Sequence, residues 1–413
     1  MYLDKLIMKK ILSLLLMLFM GIVSIYAQED QSFKGSFEDC KAQAKKENKL
    51  ILIDMYFVGC MPCAEMDKRV LPDPSVQQEI QQNYILYKTD VMKELDGKKL
   101  ARKYGASGFP TYVILNKDGK AILTESGFFG VNRFVPLLQK AVQMEAVKNY
   151  LAFDTNLDSE YPAAYSERFI KTGVNHPFSE LEEYLDQQKD LFSEQAFLAN
   201  SVTNFPKYNL WAYNNLSKLI QLYGGNLLMN KINNVAKAKS KQYGAAQQLD
   251  SLEALVSYIR PVYNDKLWPV FLPHFVADYY NSSKDAKAYL ALIDKYTLYP
   301  KWEERSNALG QVIIDQKSNK PLLKALLAEY EAQSKKEPLD FTDQYKLTLL
   351  YTYLGDFKSA DKTVEQFLTA DFTNPYYKIN KEEALAMQAA IKRKDANGFE
   401  AKDLKRTLGF SMD

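Results

Sequence analysis

The sequence is poor in the residues that usually stabilise small, irregular or metal-dependent folds. Its 413 residues include three Cys, two His, 17 Gly and 15 Pro. Three cysteines are too few for a disulfide-stapled architecture, and the scarcity of Gly and Pro favours helices over an all-β architecture. A chain of this length is expected to fold as two or three domains rather than around one core.

Charge of one sign and long apolar runs are also scarce. Without residues 1–27 the chain has 50 basic and 50 acidic side chains. This balance gives no electrostatic attraction to nucleic acid or anionic lipid, so no nucleic-acid partner is expected. Beyond residue 27 the sequence has no apolar stretch long enough to cross a bilayer.

The first 27 residues have the pattern of a secretory signal peptide. Lys9 and Lys10 precede an apolar run at 11–25, and Ala27 follows as a small residue for cleavage. The run of about fifteen residues is shorter than the roughly twenty that a membrane span needs. We therefore expect a signal peptide at 1–27 that is cleaved on export to the periplasm. An uncleaved N-terminal anchor helix is the alternative.

Residues 28–148 alternate between predicted helices and strands, which indicates an α/β domain with a mixed central sheet and flanking helices. An almost unbroken apolar run at 50–57 predicts a central strand that is buried on both faces. Residues 116–119 read Asn-Lys-Asp-Gly, a hairpin turn between two short strands. Helices are predicted at 36–48, 60–70, 75–82, 93–104 and 132–148, and strands at 50–57, 84–90, 111–115 and 121–125. The helix at 93–104 is expected to be exposed because it is rich in charge.

Residues 149–413 are predicted to form an all-α domain, because strand signals end near residue 150 and amphipathic stretches follow one another. The segment at 275–286 aligns with 349–360, and 312–322 has a similar helix–turn–helix pattern between them. This spacing predicts paired-helix repeats of the tetratricopeptide kind within 265–370. An irregular helical bundle is the alternative.

The chemically distinctive motif is Cys60-Met61-Pro62-Cys63, directly after the buried strand and at the start of a helix. The free N–H groups and the dipole at a helix N-terminus stabilise a thiolate, so the pKa of Cys60 should fall from about 8.5 toward neutrality. Cys60 is expected to be the exposed nucleophile. Cys63, one turn behind it, is placed to resolve a mixed disulfide.

A CxxC pair could also be half of a zinc site, but the other half is missing. The two histidines, His176 and His274, lie far away in the helical region, so no metal site is expected. The third cysteine, Cys40, shares a helix face with Phe37 and Ala44. We interpret it as a small buried apolar residue, and a part in the redox chemistry is the alternative.

These motifs resemble the thioredoxin superfamily over about residues 33–145. Pro62 precedes the second cysteine, as in thioredoxin itself, and Asp54 matches a buried acid that exchanges a proton with Cys63. The segment Gly108-Phe109-Pro110-Thr111 matches the loop that carries a cis-proline. The resemblance implies that substrate docks on Phe109, Pro110, Met61 and Pro62. From the residues alone, Asp54 could have a purely structural role instead.

Within the superfamily, residues 53–80 are similar to the C-terminal periplasmic domain of the DsbD disulfide reductase and its soluble relatives. Glu65 matches a second acid of that branch, although a Glu in a first helical turn also has a simple electrostatic explanation. Gly59 departs from the pattern, since an aromatic residue usually precedes the first cysteine. This departure affects the docking surface rather than the sulfur chemistry.

The resemblance implies an exported thiol–disulfide oxidoreductase that is reductase-like and uses no cofactor beyond its Cys60–Cys63 disulfide. Its partners would be client proteins with disulfides, a membrane electron donor and a protein bound by the helical domain. Two other functions are compatible with the sequence. One is a helical-repeat adaptor whose thioredoxin-like domain serves for docking, and the other is a disulfide isomerase.

Overall fold

The computed structural model describes residues 32–372 and 378–405. The predicted signal peptide at 1–27 lies outside the described residues. The chain divides into two compact units, one ending at Ile232 and one beginning at Asn233. Among the described residues, no helix is both long and apolar enough for a membrane crossing.

The first unit is built around a four-stranded mixed sheet in the order β2-β1-β3-β4. The strands are β1 (Leu50–Tyr56), β2 (Tyr84–Asp90), β3 (Thr111–Leu115) and β4 (Ala121–Ser126). The central strand β1 runs parallel to β2 and antiparallel to β3. Both of its faces are covered, as its continuous apolar sequence predicts.

Helices flank this sheet and contribute apolar side chains to the hydrophobic core that they share with it. They are α1 (Phe37–Glu47), α2 (Met61–Glu65), α3 (Pro74–Asn83), α4 (Leu95–Tyr104) and α5 (Val131–Ala146), with a π-helical turn at Met66–Val70. Ser36 and Asp39 form a reciprocal capping box that fixes the start of α1. Leu52, Met66 and Phe134 are fully buried between sheet and helices. The α/β sheet with flanking helices and the helical region after it are confirmed.

The expectation that the helix at 93–104 is exposed is wrong. Leu100, Ala101, Lys103 and Tyr104 of α4 are all buried. The Lys103 ammonium is 2.7 Å from a carboxylate oxygen of Glu194, which is also buried. A charged side chain can be buried when such a partner is present, and this partner comes from the helical region that follows the sheet.

The first unit continues beyond the sheet as short helices. These are α6 (Ala163–Ser166), α7 (Phe178–Gln187), α8 (Glu194–Ser201), α9 (Pro206–Asn214) and α10 (Leu216–Tyr223), followed by a 3₁₀ turn at Asn226–Leu228. The Leu151 amide donates to the carbonyl of Ala121 on the edge strand β4, at 2.7 Å. The predicted domain limits, 28–148 and 149–413, stay predictions; the compact units themselves divide within the next helix, α11 (Met229–Ala245).

The second unit is helical throughout its described residues. Its helices are α12 (Leu249–Ile259), α13 (Trp268–Ser283), α14 (Ala286–Lys295), α15 (Trp302–Asp315), α16 (Lys320–Lys336), α17 (Phe341–Leu354), α18 (Phe357–Phe367) and α19 (Lys381–Lys392), with a 3₁₀ turn at Arg260–Val262. The three segments aligned in the sequence fall on the turns of α13–α14, α15–α16 and α17–α18. Tetratricopeptide-like repeats stay a prediction for this region.

Candidate redox site

The two cysteines of the CxxC motif form a disulfide where β1 gives way to α2. Cys60 is the N-cap of α2, and the Cys63 amide donates to the Cys60 Sγ at 3.2 Å. Pro62 occupies the first turn, where its missing N–H has no helical partner to lose. Backbone N–H and helix dipole therefore both favour negative charge on the Cys60 sulfur.

The expectation that Cys60 is the exposed cysteine is wrong for the disulfide form. Cys60 is 6% exposed and Cys63 is 5% exposed, so the pair is covered almost equally. The neighbouring Met61 is 66% exposed and Pro62 is half-buried, so the surface beside the disulfide is largely apolar.

The loop before β3 lies beside the end of β1, because Thr111 pairs with Met55 across the sheet. The Phe109–Pro110 peptide bond is cis, as the resemblance implied. The Phe109 ring makes an edge contact with Phe57 at 5.6 Å between centroids. The Phe57 carbonyl in turn accepts from the Cys60 amide at 3.1 Å. Phe109 therefore packs on the turn that presents the disulfide.

Asp54 is buried on β1, six residues before Cys60, with only 3% of its surface exposed. Lys88 lies opposite it in the parallel β1–β2 register, and its ammonium is 3.8 Å from an Asp54 oxygen. Tyr112 is opposite Asp54 on the other side, in β3. Burial, and then the negative charge of Asp54, raise the pKa of Tyr112 well above its usual value.

Two charged residues of this cluster, Lys88 and Asp67, were not predicted from the sequence. Lys88 also forms a close ion pair with Asp67, which lies in the π-helical turn after α2. The ammonium is thus shared between a buried carboxylate and a half-exposed one. If the two predicted strands are paired in parallel with their first residues side by side, Asp54 faces Lys88. This alignment is the signal that could have identified Lys88 from the sequence. The sequence carries no comparable signal for Asp67.

Glu65 does not join this cluster through any contact that the structure describes. Its carboxylate lies 3.4 Å from the Arg69 guanidinium one helical turn later, and it is partly exposed. An i,i+4 ion pair of this kind is a common feature of solvated helices. The electrostatic explanation of Glu65 therefore fits its surroundings, and its role as a second acid stays a prediction.

Cys40 is fully buried in α1, in agreement with its predicted apolar role. Burial raises the pKa of its thiol to about 12. Among the described residues, no group of three or more His, Cys, Asp or Glu side chains could hold a metal ion.

Residues 37–142 match the family described as a thioredoxin-like domain. The relatives include the thiol:disulfide interchange protein DsbD of Pasteurella multocida, 27% identical over 107 residues, which are 25% of this chain and 18% of that protein. DsbD of Photorhabdus laumondii is 28% identical over 97 residues, 23% of this chain and 17% of that protein. The chain thus spans about a fifth of the length of the curated relatives it matches.

Solved structures similar to this chain include a thioredoxin from Thermus thermophilus, with 21% identity and a TM-score of 0.26. The match covers 27% of this chain and 88% of that one. The reduced DsbD C-terminal domain of Neisseria meningitidis has 22% identity and a TM-score of 0.23, covering 25% and 91%. Residues 37–142 therefore match a thioredoxin-like family, and over this stretch the chain is similar to DsbD.

Proposed function

We propose that the protein is a thiol–disulfide oxidoreductase that exchanges disulfides with client proteins through Cys60 and Cys63. The observation that carries this proposal is the Cys60–Cys63 disulfide at the start of α2, with the Cys63 amide directed at the Cys60 sulfur. A thiolate at this position is stabilised without the need for a metal or a bound cofactor.

In the reducing direction, the Cys60 thiolate attacks one sulfur of a client disulfide. A Cys60–client mixed disulfide forms, and the other client sulfur leaves as a thiolate. The Cys63 thiolate then attacks the Cys60 sulfur, which restores the Cys60–Cys63 bond and releases the second client thiolate. Two electrons pass from the protein to the client, and the released thiolates take up protons.

The cluster of Asp54, Lys88 and Asp67 supports a role in moving the proton of Cys63. Asp54 is buried in the strand that leads to the CxxC motif, so its carboxylate is a suitable proton acceptor in a site with little water. Lys88 stabilises the ionised carboxylate, but it is shared with Asp67. Lys88 thus has two carboxylate partners, the proposed proton acceptor Asp54 and the half-exposed Asp67.

We infer that the physiological direction is reductive and that export places the protein in the periplasm. Pro62 before Cys63, and the lack of His between the cysteines, match reducing members of the superfamily. In an oxidising compartment the Cys60–Cys63 pair must be re-reduced, which requires a dithiol donor such as a membrane electron carrier. A glutathione-equilibrium measurement tests the direction: a potential near −120 mV, about that of strong oxidants, would exclude it.

Turnover with a disulfide-containing protein tests the proposed activity. With dithiothreitol as donor, the wild-type chain and Cys40→Ala should both accelerate the reduction of insulin. Cys60→Ser should lose this activity because the attacking sulfur is missing, and Cys63→Ser should lose it because the mixed disulfide is not resolved. Activity that survives in the Cys60→Ser, Cys63→Ser double variant would exclude the proposed function and favour an adaptor role.

A further inference from the structure

The 3₁₀ turn at Asn226–Leu228 lies in the helical region, yet it contacts the loop beside the disulfide. The side-chain Nδ2 of Asn226 donates to the hydroxyl of Ser126, at the end of β4, at 2.9 Å. The Ser126 hydroxyl is 2.7 Å from the Thr111 hydroxyl, which donates to the Gly108 carbonyl at 2.5 Å. Three hydrogen bonds thus connect the helical region with the 105–110 loop.

The direction of this hydrogen-bond chain follows from the number of protons available. A hydroxyl has one proton to donate, and that of Thr111 is used on Gly108. The Ser126 hydroxyl must therefore donate to Thr111 and accept from Asn226. Because each hydroxyl both accepts and donates, the hydrogen bonds strengthen one another. An N–H donor at position 226 leaves the single proton of Ser126 available for Thr111.

A second contact holds the other end of the same loop. Gly105 ends α4 in the left-handed conformation, with φ of 63°. A Cβ atom placed there would lie 3.0 Å from Leu227 and 3.1 Å from Leu198, so these leucines press directly on the backbone. The helical region therefore supports the loop at Gly105 by packing and at Gly108 by hydrogen bonding.

Between these two supports the loop is exposed next to the disulfide. Ser107 and Gly108 are exposed, and Phe109 packs on Phe57 in the turn that leads to Cys60. Because Phe109 packs on the turn that precedes Cys60, we expect a client polypeptide docked at Cys60 to contact this segment, whereas a small disulfide need not touch it. A shift of the Gly108 carbonyl would thus affect polypeptide substrates selectively.

We propose that Asn226 is a positioning residue for polypeptide substrates, and that it acts through Ser126 and Thr111 on the loop at 105–110. This inference rests on the proposed function, since it assumes that clients reach the Cys60–Cys63 pair. It assigns to the helical region a part in substrate recognition at the redox site itself.

The test compares insulin with a small aromatic disulfide, dithiobis(nitrobenzoate), as substrates of the full chain. Asn226→Asp keeps the size of the side chain but replaces its N–H donor with a carboxylate oxygen. The Ser126 hydroxyl has one proton, so it cannot donate both to Thr111 and to this carboxylate. Ser126→Ala removes the middle of the chain without adding charge. Both variants should raise the KM for insulin about three- to tenfold, as expected for one lost hydrogen bond, with kcat and the small-substrate rate unchanged.

Matched controls separate positioning from a structural role. Asn215→Asp makes the same substitution at a residue whose side chain donates within its own segment, to the Trp211 carbonyl. This control should leave the KM for insulin unchanged. Ser126→Thr keeps the hydroxyl and should therefore also keep the wild-type KM, in contrast to Ser126→Ala. The double variant Asn226→Asp, Ser126→Ala should be no worse than either single variant, because both interrupt one chain.

The inference is overturned if Asn226→Asp and Ser126→Ala keep the wild-type KM for insulin, if Asn215→Asp raises it as much, or if both substrates slow equally. Should Ser126→Ala fail to fold, Asn226→Asp and Ser126→Thr still decide the question. A wild-type chain that reacts with neither substrate would instead exclude the proposed function.

Discussion

Asp54 is the side chain on which the proposed proton transfer depends. It is buried, and the Lys88 ammonium lies 3.8 Å from its carboxylate. Asp54→Asn keeps the shape but cannot accept a proton, so we expect resolution of the mixed disulfide by Cys63 to slow about 100-fold or more. Rapid acid quenching followed by mass spectrometry measures the lifetime of that intermediate. Asp73→Asn, which alters an exposed helix cap, should leave the lifetime unchanged; an unchanged lifetime in Asp54→Asn contradicts the proposed role.

Cys40 should be nearly inert in the folded protein. Its thiol is buried and has a pKa of about 12. Since the thiolate is the reactive form, we expect Cys40 in the reduced protein to alkylate at least about 100-fold more slowly than Cys60 near pH 8. Peptide mapping after iodoacetamide treatment measures this ratio, with the denatured chain as control. Equal labelling of Cys40 and Cys60 in the native state would exclude the buried interpretation.

The residues of the candidate site differ in how well the sequence predicts them. Cys60, Cys63 and Asp54 lie in one strand–loop–helix segment, so local sequence is enough to identify them. Lys88 and Asp67 were missed because their meeting depends on which strand pairs with β1 and on the π-helical turn. The covering of Cys60 was not predicted because it depends on three-dimensional packing around the CxxC motif and not on a local pattern of apolar residues.

Helices and strands of the sheet region were predictable because their signals are local. Three local signals correspond to elements of the structure. They are the apolar run of β1, the Ser36 cap of α1, and the turn at residues 116–119 between β3 and β4. The burial of α4 was not predictable in the same way. The many charged residues of α4 suggest a solvated helix. Burial of Lys103 depends on its ion pair with Glu194, which lies far along the chain.

The start of α11 contains a buried lysine that should make stability depend on pH. The Lys231 ammonium donates to the Thr203 carbonyl at 2.8 Å and to Asn209 at 3.2 Å. Burial lowers its pKa from 10.5 to about 7. The unfolded chain therefore holds more protons between these pH values, and the free energy of unfolding should rise with pH across them.

Urea unfolding at several pH values between 7 and 10 measures this effect. We expect Lys231 to add up to about 1.4 kcal/mol per pH unit to the free energy of unfolding. Lys231→Met should remove that slope and be more stable than the wild type at pH 7, whereas Lys237→Met, at an exposed position of the same helix, should keep it. Identical slopes in the wild type and Lys231→Met would show that Lys231 does not titrate in this range.

Taken as a whole, the chain joins its sheet and its first helices into one compact unit that ends at Ile232. The buried pair of Lys103 and Glu194 connects the two parts, and Glu194 also accepts from the Asp154 amide at 2.6 Å. The sequence shows where strands stop, but it does not show that the following helices pack onto the sheet. Such packing depends on contacts between residues that are distant in the chain.

Removal of Glu194 should therefore destabilise the whole first unit. Glu194→Ala leaves the Lys103 ammonium buried without its carboxylate, which costs about 3–5 kcal/mol in comparable cases. Denaturant unfolding followed by circular dichroism measures the loss. Glu182→Ala interrupts a solvated ion pair with Lys207 in the same unit and should have little effect. A small, equal change in both variants would show that the buried pair does not hold the unit together.

Identification of the cysteine that first bonds to a client provides the most direct test of the proposed exchange reaction. Reduced Cys63→Ser is mixed with a disulfide-containing protein, and the covalent product is digested and mapped by mass spectrometry. We predict a mixed disulfide at Cys60 in this variant, and none in the Cys60→Ser, Cys63→Ser double variant. An adduct at Cys40, or no adduct in Cys63→Ser, would contradict the proposal that Cys60 attacks and Cys63 resolves.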